Sequence, residues 1–360
     1  MTDSIQILGS RHGGGAERFF VRLVTALNAR GHRALAVVPP ESWAARKLPD
    51  EVPKQHLRMR SIWDVAARLG IRKIVRRERP PIVQTWLGRA TRLTRLPANG
   101  SPVHVTRLGG YYKLNGYRHA HAWVGNTRGI RDYLLQAGLP ETRIFHIGNF
   151  IELPPALPVS ECMAFRARHD IPCDAWLLLS IGRLHPCKGF ADLIDALSAL
   201  PTQHQGRPLH LAIAGDGPLR EALHAHAAAS PAASRIHWLG WIDQPNLALQ
   251  AADLFVCPSR EEALGNVILE AWANRVPAVA TRTAGATELI EPGVSGLLCD
   301  IGAPSDLAGK LGEALAMTEG ERDAMIAAGR RRIIEAHSEE AIVNAYLDLY
   351  RKLSSSPDPS

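Results

Sequence analysis

Apolar residues in the first half of the chain follow two spacings in turn. Residues 5–8 (Ile-Gln-Ile-Leu) and 34–38 (Ala-Leu-Ala-Val-Val) are short, almost continuous apolar runs, the pattern of strands buried on both faces. Between them Phe20, Leu23, Val24 and Leu27 recur at helical intervals, and Gly31 marks the helix end. Gly13-Gly14-Gly15 fills the first turn, so strand, glycine loop, helix and strand form a βαβ unit. Residues 82–86, 103–106, 122–126 and 144–147 predict further strands, with Thr127 placed to cap a helix reaching Leu135.

Residues 151–160 carry three prolines and read as a linker. The alternation then restarts, with strands predicted over 176–181, 209–214, 236–239, 254–257 and 278–281 and a helix from Phe190 to about Leu200. The pattern predicts two doubly wound α/β domains, 1–155 and 156–336. An amphipathic helix over about 337–353 is expected to pack back on the first domain, and 354–360 is expected to be a disordered tail.

Composition narrows the class. With 46% hydrophobic and 21% charged residues in 360, the chain is globular, and no apolar run approaches the ~18 residues needed to span a bilayer. The start, Met-Thr-Asp-Ser, lacks a basic stretch followed by an apolar one, so no secretory signal is expected. Five cysteines without C-x-x-C spacing argue against a disulfide framework or zinc site and fit a reducing, cytoplasmic setting. Between 51 and 120, however, fifteen Lys and Arg face three acids, a surplus larger than the chain's net +7. That segment predicts an anionic partner.

Two loops following predicted strands carry the candidate chemistry. In Pro258-Ser259-Arg260-Glu261-Glu262-Ala263-Leu264-Gly265-Asn266-Val267-Ile268-Leu269-Glu270, Glu262 falls in a strand-to-helix turn, Gly265 permits close backbone approach, and a helix starts near Asn266. Free N–H groups there can face a diphosphate. Glu262 and Glu270 would repel phosphate, so they either accept hydrogen bonds from sugar hydroxyls or are solvated acids at a helix start. Gly182-Arg183-Leu184-His185-Pro186-Cys187-Lys188-Gly189 sets Arg and Lys five apart, a spacing suited to clamping a pyrophosphate or to an ordinary surface pair. Gly215-Asp216-Gly217-Pro218 is a tight turn.

These residues resemble the retaining glycosyltransferases of family four, with the E-x7-E motif and the GT-B fold of two Rossmann-like domains facing each other across a cleft. The match continues through Trp272–Ala280, Gly285, Glu288-Leu289-Ile290 and Gly293–Leu298, departing where Asn274 and Arg275 stand. The resemblance implies that Glu262 holds the donor sugar and Glu270 the ribose, and that Arg183 and Lys188 neutralise the leaving diphosphate. It implies that Gly182, Gly215, Gly217, Leu264, Gly265 and Asn266 shape the donor pocket, and that Gly14 and Gly15 face the donor from the other domain. Many members carry a His after the fourth strand; here the segment reads Thr106-Arg107-Leu108-Gly109-Gly110-Tyr111-Tyr112-Lys113, so Arg107, Lys113 or the tyrosines are expected on the acceptor side.

No Asp-x-Asp occurs, so neither a metal nor another cofactor is expected beyond the substrate, a UDP- or GDP-sugar. Residues 58–95 include an amphipathic stretch, 61–80, in which Ile62, Val65, Ala66 and Leu69 share one face and arginines crowd the other. It suits either an anionic membrane surface or plain solvation. Without a recognition motif or interleaved aromatics, nucleic acid is not an expected partner. The implied function is hexosyl transfer to a glycan or lipid-linked acceptor in lipopolysaccharide or related envelope synthesis, at the inner face of the cytoplasmic membrane. A nucleotide-sugar 2-epimerase of the same fold and a catalytically silent nucleotide-sugar-binding subunit are the alternatives.

Overall fold

The computed structural model describes residues 3–97 and 101–355. They form two compact units, one of described residues up to 150 together with 336–355, the other of 151–335. Each is a parallel α/β sheet, the outcome expected when short apolar strands alternate with one-sided helices.

In the first unit the strands are β1 (Ser4–Leu8), β2 (Ala34–Val38), β3 (Lys54–His56), β4 (Ile82–Trp86), β5 (Val103–Leu108), β6 (Ala122–Gly125) and β7 (Ile144–His146). Their order is β3-β2-β1-β4-β5-β6-β7, every pairing parallel. β1, β2 and β4 are wholly buried. The helix Gly15–Ala29 sets Phe19, Phe20, Leu23, Val24 and Leu27 into the core, and Thr127 caps its helix by accepting from the Ile130 N–H at 3.2 Å.

The helix Glu339–Ser355 packs into that same core through Ile342, Val343, Tyr346, Leu349, Tyr350 and Leu353. The Tyr350 hydroxyl accepts from Gln6 Nε2 at 3.0 Å and donates to Gln84 Oε1 at 2.8 Å, pinning the helix to β1 and β4. Because this helix runs to Ser355, the expected tail at 354–360 is corrected for its first two residues. The rest of that expectation lies outside the described residues.

The second unit holds β8 (Trp176–Ile181), β9 (Gln203–His204), β10 (Arg207–Ala214), β11 (Ile236–Gly240), β12 (Leu254–Cys257), β13 (Ala278–Thr281) and β14 (Leu297–Cys299). The order is β11-β10-β8-β12-β13-β14, with β9 antiparallel on β10. The linker expectation is trimmed, since a helix begins at Val159. No helix among the described residues is long and apolar enough to cross a membrane.

The basic helix spans Val65–Glu78, with Asp64 capping it through the Ala67 N–H at 3.0 Å. Its buried face is Ala67, Ile71, Ile74 and Val75. Val65 and Leu69 point outward, 64% and 59% exposed. The expected split between an apolar and an arginine face is therefore corrected: apolar and basic residues share the exposed side. The reason is that Ala67, Ile71, Ile74 and Val75 make the better-filled contact with the sheet.

Candidate functional site

In a doubly wound sheet, ligands bind beyond the carboxyl ends of the strands where the order reverses. In the second sheet that reversal lies at β8, which has β10 on one side and β12 on the other. The loops leaving β8 and β12 are 182–189 and 258–265, the two that carry the candidate chemistry. Strand order thus brings together segments more than 70 residues apart, and Lys188 Nζ donates to Glu262 Oε2 in a short charged hydrogen bond. Both side chains are about one-fifth exposed, 23% and 18%.

Several contacts clasp these loops. The Arg260 and Glu261 N–H groups both donate to the Cys187 carbonyl, at 2.8 and 3.1 Å. The Arg260 guanidinium grips the Asp192 carboxylate with two bonds of 2.8 and 2.7 Å, and Asp192 raises its pKa through the hydrogen bond and the charge. Gly189 has φ +64, and a Cβ there would stand 1.9 Å from the Pro258 carbonyl oxygen, so only glycine allows this approach. The Ser259 hydroxyl donates to Glu262 Oε2 at 3.4 Å, and Thr281 Oγ1 donates to the Ser259 carbonyl. From the helix Ala284–Leu289 that follows β13, the Gly285 N–H donates to the Glu262 carbonyl at 3.0 Å. Burial pulls the Lys188 ammonium down, but Glu262 overrides it and the net shift is upward.

The remaining expected residues of this unit lie on these two loops, on the turn after β10 and on the helix after β12. The Arg183 side chain is exposed and makes no hydrogen bond or ion pair among the described residues, leaving its fork of donors available. Gly215, at φ +146, approaches Gly182 so closely that a Cβ would lie 1.8 Å from its carbonyl oxygen. Gly217 packs likewise on Leu184. Leu264 is buried, with its backbone against Gly285. Gly265 caps the helix Asn266–Ala273, whose first residue is Asn266 and whose second turn carries the half-buried Glu270.

Gly14 and Gly15 belong to the first unit. Gly14 is the N-cap of Gly15–Ala29, at the reversal between β1 and β4. Lys113 is exposed beside the 3-10 turn Leu114–Gly116.

Arg107 requires a correction. It lies inside β5, 3% exposed, donating to the Tyr346 hydroxyl at 3.2 Å and to Asn149 Oδ1. Its guanidinium stacks on Phe19 and Trp86 at 4.8 and 4.9 Å. A buried charge must be paired or hydrogen-bonded, and these partners consume the group inside the domain. Arg107 locks the last helix to the sheet and presents nothing at the surface for an acceptor. His104, His119 and His121 form a packed cluster with lowered pKa values, caused chiefly by burial.

Sequence reasoning missed the Asp192–Arg260 clasp and Thr281. Their partners lie far along the chain, and no local spacing announces them.

Residues 13–153 match the Glycosyltransferase Family 4 model, and residues 163–332 that of Glycosyl transferases group 1. The chain is 34% identical over 340 residues to the lipopolysaccharide core biosynthesis glycosyltransferase LpsE of Rhizobium meliloti, covering 93% of this chain and 95% of that one. Among solved structures, a glycosyltransferase from Rickettsia africae aligns over 98% of this chain and 99% of its own, with TM-score 0.84 and 19% identity. Anabaena HepE in complex with UDP and glucose aligns over 97% and 99%, with TM-score 0.82 and 19% identity.

Proposed function

The chain belongs to glycosyltransferase family 4, a GT-B enzyme family, and on that premise we propose that it transfers a hexose-type sugar from a nucleoside-diphosphate sugar to a hydroxyl of a lipid-linked glycan. The pathway we assign is assembly of lipopolysaccharide core or a related envelope polysaccharide, supported by the likeness to LpsE. The observation that carries the donor reading is the Lys188–Glu262 pair at the reversal of the second sheet, with Arg183 beside it on the same loop. The HepE complex makes a UDP-sugar the first donor to test and a GDP-sugar the second.

On this reading the donor exchanges one partner for two. Lys188 leaves Glu262 and, with Arg183 and the N–H groups at Asn266, faces the diphosphate, where negative charge grows as the anomeric C–O bond breaks. Glu262 then accepts hydrogen bonds from sugar hydroxyls, and Glu270 from the ribose. The acceptor oxygen bonds to the anomeric carbon from the face the diphosphate leaves, and its proton passes to a leaving phosphate oxygen. Configuration is retained. These cationic groups neutralise the diphosphate in place of a divalent cation. Gly14 and Gly15 contribute N–H groups toward the donor, and Lys113 contacts the acceptor. Residues 58–95 hold the enzyme peripherally on an anionic membrane surface.

The test is proton NMR of the product from an α-linked nucleotide-sugar, with and without EDTA. An α-linked product at an unchanged rate is expected. A β-linked product overturns retention, and loss of activity restored by manganese overturns metal independence.

A further inference from the structure

The outward side of the helix Val65–Glu78 is not accounted for by sugar transfer. Trp63, just before it, is 75% exposed, and Val65 and Leu69 are 64% and 59% exposed. At roughly 100° per residue, Val65, Leu69, Arg72 and Arg76 fall within about 60° of one another. One stripe therefore runs from bare apolar residues to two arginines. It ends at a cavity of about 880 Å³ lined by Arg72, Val75, Arg76, Arg79, Pro80 and Arg95. No acid lines this cavity among the described residues. Glu78, the acid of the helix, is turned to Arg77 at 2.8 Å. The side chains of Arg72, Arg76, Arg79 and Arg95 make no hydrogen bond or ion pair among the described residues. Burial, and to a lesser degree Arg68, push the Arg95 guanidinium down.

The cavity sits at the end of the first sheet opposite its glycine loop. Arg79 and Pro80 lead into the amino end of β4, and Arg95 precedes the amino end of β5. The glycine loop 9–14 leaves the carboxyl end of β1, which pairs in parallel with β4. Five strand residues separate the two edges by about 17 Å.

We propose that this four-arginine cavity seats the phosphate headgroup of an anionic membrane phospholipid, with Trp63, Val65 and Leu69, toward the other end of the helix, entering the bilayer. The inference rests on the membrane reading above and adds a defined site to it. Scattered basic residues attract an anionic surface without choosing a docking point. Several guanidinium forks lining one concave site can bind phosphate directionally. The exposed tryptophan, valine and leucine of the same segment favour a phosphate carried on a lipid over one free in water, because only the lipid gives them somewhere to go.

The experiment sediments the full chain with phosphatidylcholine vesicles, with and without phosphatidylglycerol. Arg79→Gln/Arg95→Gln is compared with Lys73→Gln/Arg60→Gln, which removes equal charge from exposed positions of the same segment outside the cavity lining. Binding that requires phosphatidylglycerol, and falls about tenfold further in the cavity variant than in the control, supports the site. Trp63→Ser/Leu69→Ser should also weaken vesicle binding. Equal losses in the two charge variants reduce the effect to diffuse attraction and overturn the proposal. So does wild-type protein that ignores the vesicles while inorganic phosphate raises its melting temperature. Transfer to a water-soluble acceptor, measured in parallel, should stay at the wild-type rate in every variant. Its absence in wild-type protein would refute the transferase reading and leave the vesicle result standing.

Discussion

Gly189→Ala tests how the site is built. The residue joins the turn bearing Lys188 to the helix Phe190–Ala199, at φ +64. A methyl group there would stand 1.9 Å from the Pro258 carbonyl oxygen, where ordinary contact begins near 3.4 Å. The two loops must therefore part by about 1.5 Å. Left-handed backbone costs a non-glycine residue roughly 1–2 kcal/mol. Overpacking adds about 1–3 kcal/mol, because a backbone carbonyl cannot swing aside as a side chain can. The expected destabilisation is about 2–5 kcal/mol, or about 4–20 °C for a unit of this size. Parting the loops also separates Lys188 from Glu262, and misplacement on this scale costs about 100-fold in kcat/KM. Gly206→Ala is the control: its φ is +75 and nothing lies within 4 Å of the added carbon, so it bears the strain without the clash. Thermal unfolding and donor titration of both variants decide the matter. If Gly189→Ala matches Gly206→Ala in melting temperature and donor affinity, the close approach does not hold the site together.

Other outcomes follow from the same contacts. Glu262→Gln should lower transfer by about 10- to 100-fold, the worth of charge-assisted hydrogen bonds to hydroxyls, while Glu270→Ala should mainly raise the donor KM; steady-state kinetics separates the two. Arg107→Ala should cost about 2–4 kcal/mol in a urea melt, by stranding Tyr346 and Asn149 and emptying the space over Phe19 and Trp86, yet leave the donor KM unchanged. The stabilising effect of Lys188 should depend on pH in one direction. Its ammonium is raised above the ordinary 10.5, so that stabilisation is complete below this pH and is lost as pH rises beyond it. The stability difference between wild type and Lys188→Met should thus be flat from neutral pH to mildly alkaline conditions and shrink above about 10.5. A difference that shrinks on acidification down to neutral pH would contradict the sign.

The central strands are readable from residues alone because both their faces are buried, which turns Ala34–Val38 or Leu177–Leu179 into unbroken apolar runs. The edge strand β3 (Lys54-Gln55-His56) is half exposed and polar, and no periodicity betrays it. Sequence placed Lys188 and Glu262 each on a loop after a strand, but their contact depends on β8 lying beside β12, a fact of strand order. Arg107 misled for the same reason. Its partner Tyr346 arrives 239 residues later on the last helix, and without that helix an arginine near a strand end reads as surface. The helix Val65–Glu78 carries two apolar stripes. Spacing picks out the stripe of Val65 and Leu69, whereas the sheet takes that of Ala67, Ile71, Ile74 and Val75.

The most direct test of the donor site is a thermal-shift titration of wild type and Arg183→Gln/Lys188→Gln with UDP-, GDP-, ADP- and CMP-sugars. A ligand that binds the folded state alone raises its melting temperature in proportion to log concentration once bound. The expected result is that a UDP- or GDP-sugar shifts the wild type and that the double variant loses most of the shift. A wild type that no nucleotide-sugar stabilises, or a double variant stabilised equally well, would contradict the assignment of Arg183 and Lys188 to the diphosphate.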